Sequence, residues 1–384
     1  MPHVHHLNLQ QAVGGGEIYT RWFTRALVEA GASVTLYVDA ANRFWDGLSS
    51  AGITVVPVRN SSEIVDRLPR QGAWIVTQSR VPRELVEMGA KSHLLTGFSH
   101  MPILNRSASE FEPYSAVFTV SEYCIDLLKR AGISQVYPVP MYGTWALERP
   151  TSSASYRPIR ARSPYHWDRR KGRDRLLSLF EPLVSALEGQ PEFERKTGVT
   201  LGIVSLLSPI KQFPALFSIL APHIARFPDV NLEIFGNGGF AQVRDLRRAL
   251  EPISDRVRFW GYQENVDLIY PRIDYLMTGL PEKEALGLNV LEAQALGTPV
   301  LAPRAPPFIE TVVHGRSGFL YRDPREDEGR EFADLLGSLA AGRARPDPRE
   351  ATEHLATFSF EGMVERTRSL LQYMERAFSG RYGK

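Results

Sequence analysis

PEKEALGLNVLEAQALGTPVLAP, residues 281–303, puts chemistry and chain punctuation into one stretch. Leu288, Leu291 and Ala295 recur at helical spacing, Gly297 stops that helix, and Pro299 forbids its continuation. Val300, Leu301 and Ala302 follow at once as a short buried strand. Gly287 interrupts the pattern at the start of the helix. There the missing side chain lets a ligand approach the first free N–H groups, and the helix dipole favours an anion. Glu284 and Glu292 are eight residues apart, so a helix reaching back to Glu284 puts both carboxylates on nearly one face. Two glutamates on a helix are most often a solvated face. Beside an anion-binding helix tip they suit a ligand that is both anionic and rich in hydroxyls.

The same alternation of helix and strand runs through the rest of the chain. Residues 3–9 read as a first strand, running into Gly14, Gly15 and Gly16 before a helix over 17–30, an order that offers backbone amides to a phosphate. The glycine spacing is not that of the dinucleotide fingerprint. His3, His5 and His6 alternate across the strand and so do not converge on a metal. Stretches 33–38, 53–58, 74–77, 94–98 and 116–120 read as further buried strands. His100 falls just beyond a strand end, where open α/β sheets collect ligands, and Ser121 reads as a helix cap. A second sheet starts at Thr200, residues 273–277 lead into the Glu284 stretch, and an amphipathic helix occupies 361–378.

Between these halves the character changes. From Arg157 to Arg175 there are eight Lys or Arg against two Asp, with Tyr165 and Trp167 among them. An amphipathic pattern follows through Leu176, Leu177, Phe180, Leu183, Val184 and Leu187. The segment 157–187 reads either as a solvated excursion with a helix packed on the body or as a contact with an anionic membrane surface. The expected division is therefore an N-terminal domain 1–149 completed by the helix in 361–384, a basic excursion 150–199, and a C-terminal domain 200–360.

Composition narrows the function classes. With 384 residues, 43% hydrophobic and 23% charged, the chain has the size and balance of about two globular domains. Its 45 basic and 43 acidic residues nearly cancel, so no nucleic-acid-binding surface is expected. The single cysteine, Cys124, reads as a packing residue. Neither a secretory signal nor a membrane span is apparent, which leads to the expectation of a cytoplasmic protein, with any membrane contact peripheral.

The stretch from Glu284 to Glu292, with its Ala-x-Ala-x-Gly-x-Pro-Val continuation, resembles the signature of retaining glycosyltransferases of the GT-B fold, family four of the usual classification. The resemblance implies two Rossmann-like domains facing each other across a cleft. It implies that Glu292 holds the ribose hydroxyls of a sugar nucleotide and that Glu284 lies beside the donor sugar. The amides of Gly287, Leu288 and Asn289 would meet sugar and diphosphate. It further implies donor or acceptor contacts at Gly15 and Gly16, a sugar contact at His100, strands over 136–140, 232–235 and 257–262, and a nucleotide-side turn at Gly236 and Asn237. In the family a Gly-Arg pair, then four residues, then Lys grips the diphosphate. Lys211 matches, but the pair reads Ser205 and Leu206 here, and losing a bidentate guanidinium weakens a phosphate site unless another cation fills in. Arg21, Arg304 and the basic excursion are the candidates.

The implied activity is transfer of a sugar from a nucleotide-diphosphate donor to a glycan, lipid-linked or small-molecule acceptor. It would need no cofactor and no metal, since no Asp-x-Asp is set to hold a divalent cation. Front-side attack, with Lys211 and Glu284 in the catalytic set, is preferred over double displacement through a carboxylate. The alternatives are a sugar-nucleotide epimerase on the same scaffold and an inactive nucleotide-sugar-binding partner, the latter favoured by Leu206.

Overall fold

The computed structural model describes residues 1–11, 13–78, 81–104, 106–144, 158–167, 171–188 and 191–379, the side chains of 182–188 excepted. The basic residues Arg157, Arg169 and Arg170 lie outside the described residues, as do the side chains of Leu183, Val184 and Leu187. The chain divides into one unit of Met1–Ala146 with Ala356–Lys384 and a second of Leu147–Leu355.

In the first unit, runs of Val, Ile, Leu and Phe buried on both faces form a six-stranded parallel sheet, as expected where helices cover both sides. Its strands are β1 (His3–Asn8), β2 (Ser33–Asp39), β3 (Ile53–Val58), β4 (Trp74–Thr77), β5 (Leu94–Ser99) and β6 (Ala116–Thr119). Their order is β3-β2-β1-β4-β5-β6, so the winding reverses between β1 and β4. The helix Gly15–Glu29 buries Tyr19, Phe23, Ala26 and Leu27. The helix Phe360–Phe378 packs on it, with Trp22 and Phe360 rings 5.4 Å apart. Ser121 caps the helix Glu122–Arg130 by accepting from the Cys124 N–H at 3.2 Å. The strand expected over 136–140 does not form. Only Val136 bridges to Val117, because Pro138 and Pro140 have no N–H to give a ladder.

The second unit repeats the plan with β7 (Val199–Val204), β8 (Val230–Phe235), β9 (Val257–Gly261), β10 (Tyr275–Met277), β11 (Val300–Pro303) and β12 (Gly318–Tyr321). The order β12-β11-β10-β7-β8-β9 places its reversal between β7 and β10. Residues 158–167 belong to this unit. Ile159 joins Phe193, Phe235 and Trp260 in the core, and Arg162 N–H donates to the Trp260 carbonyl at 3.0 Å. The helix Gly172–Glu188 leaves Leu176, Leu179 and Phe180 at 59%, 69% and 54% exposure, so that apolar face is not packed on the body. Among the described residues no helix is long and apolar enough to cross a membrane.

The loops that leave β7 and β10 touch backbone to backbone. Leu280 N–H donates to the Lys211 carbonyl at 3.2 Å, and a Cβ on Gly279 would stand 2.0 Å from that same oxygen. Glycine at 279 is thus what lets the two loops close on each other. Gly279→Ala should lower stability by about 1–3 kcal/mol, read from urea unfolding, and should displace Lys211.

Candidate functional site

The reversal between β7 and β10 is where such a sheet opens a crevice beyond its carboxyl ends. The loop after β7 carries Lys211, and the loop after β10 carries Glu284. Their side chains form an ion pair, at 21% and 16% exposure. Burial at that level withholds bulk solvent screening and strengthens the pair.

The two glutamates do not share a helix face. The helix spans Leu288–Ala295, and Gly287 before it takes a left-handed conformation (φ 81°, ψ 66°) that favours glycine. Residues 281–287 are instead a loop, in which Glu284 N–H donates to the Pro281 carbonyl at 2.8 Å. Glu282, in the same loop, is held by both terminal nitrogens of Arg325 at 3.0 and 2.8 Å. Released from the helix, Glu284 turns toward Lys211.

Glu292 is in the helix and buried. Its Oε2 accepts from the Tyr270 hydroxyl at 2.7 Å. Burial pushes its carboxyl up to about 7, against partial relief from the Tyr270 hydrogen bond and the nearby Lys211 charge. Lys211 therefore lies within the field of both carboxylates. Tyr270, buried beside Glu292, has its hydroxyl pushed well above the usual tyrosine range and remains a donor. The sequence offered no signal for it. Leu288 and Asn289 are half-buried at the first turn of the helix, and the Asn289 side-chain amide donates to the Val204 carbonyl at 3.1 Å, fixing the helix tip to the end of β7. Gly236 and Asn237 complete the edge. Leu207 N–H donates to the Asn237 carbonyl at 2.8 Å, and a Cβ on Gly236 would lie 1.9 Å from the Ser205 carbonyl oxygen. Leu206 stands 52% exposed on this edge, with no charge to offer an anion.

The remaining site candidates belong to the first unit. The helix after β1 begins at Gly15, and Gly14 N–H donates to the Glu17 carboxylate at 2.9 Å. An anion of the chain itself thus already answers the helix tip. Glu17 was missed, although its place three residues after Gly14 is the position of a capping-box glutamate. His100 lies over Gly16, its ring carbon Cδ2 at ordinary contact distance, 3.8 Å, from where a Gly16 Cβ would be. His100 stacks on Phe98 at 4.6 Å and meets the edge of Tyr19 at 5.0 Å. Burial lowers its imidazole to about 3, and its Nε2 is buried without a hydrogen-bond partner. A neutral ring with an unmet nitrogen is suited to a ligand hydroxyl and not to proton delivery. His3 and His5 are instead bound across the sheet to Ser33, Thr35 and Tyr37, and His6 contacts Gln78 at 3.1 Å.

Residues 198–341 match the protein family described as Glycosyl transferases group 1. A D-inositol 3-phosphate glycosyltransferase of Corynebacterium urealyticum is 32% identical over 191 residues, covering 44% of this chain and 43% of that protein. An N-acetyl-alpha-D-glucosaminyl L-malate synthase of Bacillus anthracis is 40% identical over 93 residues, 24% of each chain. The chain thus spans less than half the length of these curated relatives. Among solved structures, Anabaena Alr3699/HepE in complex with UDP-glucose superposes with a TM-score of 0.65 at 17% identity, over 97% of this chain and 99% of that one. The sucrose-phosphate synthase of Thermosynechococcus elongatus gives 0.65 at 17%, over 98% and 100%. The two parallel-sheet, Rossmann-like units are those of the GT-B glycosyltransferase structures.

The raised Glu292 carboxyl has a sign that can be checked. Between its usual value of 4.5 and about 7 the folded chain binds the proton that the unfolded chain has lost. The stability owed to this group is therefore complete at low pH and falls by up to about 3 kcal/mol as pH rises through that window. Glu292→Gln should remove this slope in urea unfolding measured from pH 4.5 to 7.5.

Proposed function

We propose that the chain transfers a sugar from a nucleoside-diphosphate donor to an acceptor hydroxyl, with retention at the anomeric carbon and without a metal ion. The observation that carries this reading is the ion pair of Lys211 with Glu284 on the loops after β7 and β10, with the Lys211 charge also acting on buried Glu292 in the helix Leu288–Ala295. That cluster lies inside the stretch matched by the glycosyl transferase family.

In this reading the donor diphosphate displaces Glu284 from Lys211. The ammonium and the amides of Leu288 and Asn289 then stabilise the charge that builds on the departing phosphate, in a site where water is scarce. Glu284, freed from its partner, accepts from hydroxyls of the donor sugar, and Glu292 accepts from those of the ribose. The acceptor hydroxyl attacks from the face the phosphate is leaving. Its proton passes to a phosphate oxygen as the new C–O bond forms and the old one breaks, which preserves configuration. Acceptors in this reading are glycans, lipid-linked glycans or small polyols. The exposed Leu176, Leu179 and Phe180, next to a run of basic residues, support a peripheral contact with anionic lipid at a cytoplasmic surface.

Leu206 favours a second reading, a chain that binds a nucleotide sugar without turning it over. Thermal-shift screening against nucleotide sugars, followed by donor-hydrolysis and transfer assays on the best ligand, separates the two. Lys211→Ala is expected to cut turnover by about 10²–10³. A trace left unchanged by that substitution would sink the catalytic reading. Ionised Glu292 is the better acceptor, so nucleotide binding should tighten as pH rises from about 6 to 8, and Glu292→Gln should abolish the trend.

A further inference from the structure

The loop after β7 and the glycine turn after β8 lie side by side, Leu207 bridging Gly238 in parallel. A third strand is added to that pair from outside the sheet. Tyr165 bridges the same Gly238, with Gly238 N–H donating to the Pro164 carbonyl at 2.9 Å and His166 N–H donating to the Gly238 carbonyl at 2.7 Å. The basic excursion is thus hydrogen-bonded directly to the turn at Gly236 and Asn237.

Register then decides which side chains point where. Leu207 and Tyr165 face inward, Leu207 at 2% exposure and Tyr165 packed on the core of the second unit. Side chains alternate along each extended segment, so their neighbours Leu206, Asn237 and His166 share the opposite, outward face. Exposure agrees, since Leu206 is 52% exposed and His166 is exposed. In this parallel register Asn237 lies beside Leu206, and His166 falls on the outer segment one alternation further along, past Gly238.

The two other candidate cations are committed elsewhere. Arg21 donates to the Phe44 carbonyl at 3.0 Å and lies over the Phe44 ring. Arg304 donates to the Leu320 carbonyl at 3.0 Å and pairs with Glu331 at 2.6 Å. Arg162 pairs with Glu264 at 3.5 Å, and Arg160 is exposed on the excursion.

We propose that residues 158–167 form a third wall of the nucleotide site, and that a ring N–H of His166 supplies the donor-phosphate contact that Leu206 cannot. The inference rests on the donor reading above. The excursion, read from sequence as a solvated segment or a membrane contact, becomes a binding element: Arg160 adds positive field along the turn, and Tyr165 anchors it against the core.

The test is titration calorimetry of the full chain with UDP, GDP and ADP and with the parent nucleosides. His166→Ala should weaken the preferred diphosphate about tenfold while leaving its nucleoside unchanged, and Leu206→Arg in that background should restore the loss. Leu206→Arg in the otherwise unaltered chain should tighten the diphosphate, which keeps the test open if His166→Ala folds poorly. Unchanged diphosphate affinity in folded His166→Ala, or equal loss for nucleoside and diphosphate, overturns this inference and leaves the donor reading standing. Failure of the unaltered chain to bind any of the diphosphates overturns both.

Discussion

One ion pair, Lys211 with Glu284, links the two loops at the carboxyl end of the second unit's sheet. Lys211 pairs with Glu284 and lowers the cost of ionising buried Glu292, which also has the Tyr270 hydroxyl. A buried charge stripped of its partner is costly, so each member restrains the others and the loops that carry them. The same arrangement is primed for exchange. A ligand bringing phosphate oxygens to Lys211 and hydroxyls to the two glutamates replaces every contact it breaks.

The fold makes that cluster possible by bringing together residues far apart in sequence. Lys211 and Glu284 follow β7 and β10, adjacent strands at the point where the sheet changes winding direction. The parallel arrangement sends both loops out at one end, and Gly279 lets them touch through the backbone. In the first unit the equivalent reversal falls between β1 and β4. There the helix tip is answered by Glu17, and His100 is neutral and unsatisfied at Nε2. The two units thus share a plan while offering different chemistry, a charged triad in one and a neutral imidazole in the other.

Much of this was legible in the residues alone. Apolar runs with glycine and proline stops located β1 to β7 and β11, and the family resemblance located β8 and β9. The strand that the resemblance implied over 136–140 failed because Pro138 and Pro140 cannot donate to a ladder. Ser121 was readable as a cap because capping is a local hydrogen bond. The helix spacing of Glu284 and Glu292 misled, since the left-handed conformation of Gly287 ends the helix three residues short of Glu284.

The sequence by itself determined the alternation of strands and helices, the residue types that suit an anionic, hydroxyl-rich ligand, and the absence of the expected guanidinium at position 206. Local periodicity and side-chain chemistry need only near neighbours. Tertiary structure alone decided that Lys211 binds Glu284, that Tyr270 meets Glu292, and that the excursion joins the glycine turn through Tyr165 and His166. Those contacts span 73, 22 and 73 residues (238 − 165), and only the winding of the sheet brings such distant loops within hydrogen-bonding reach.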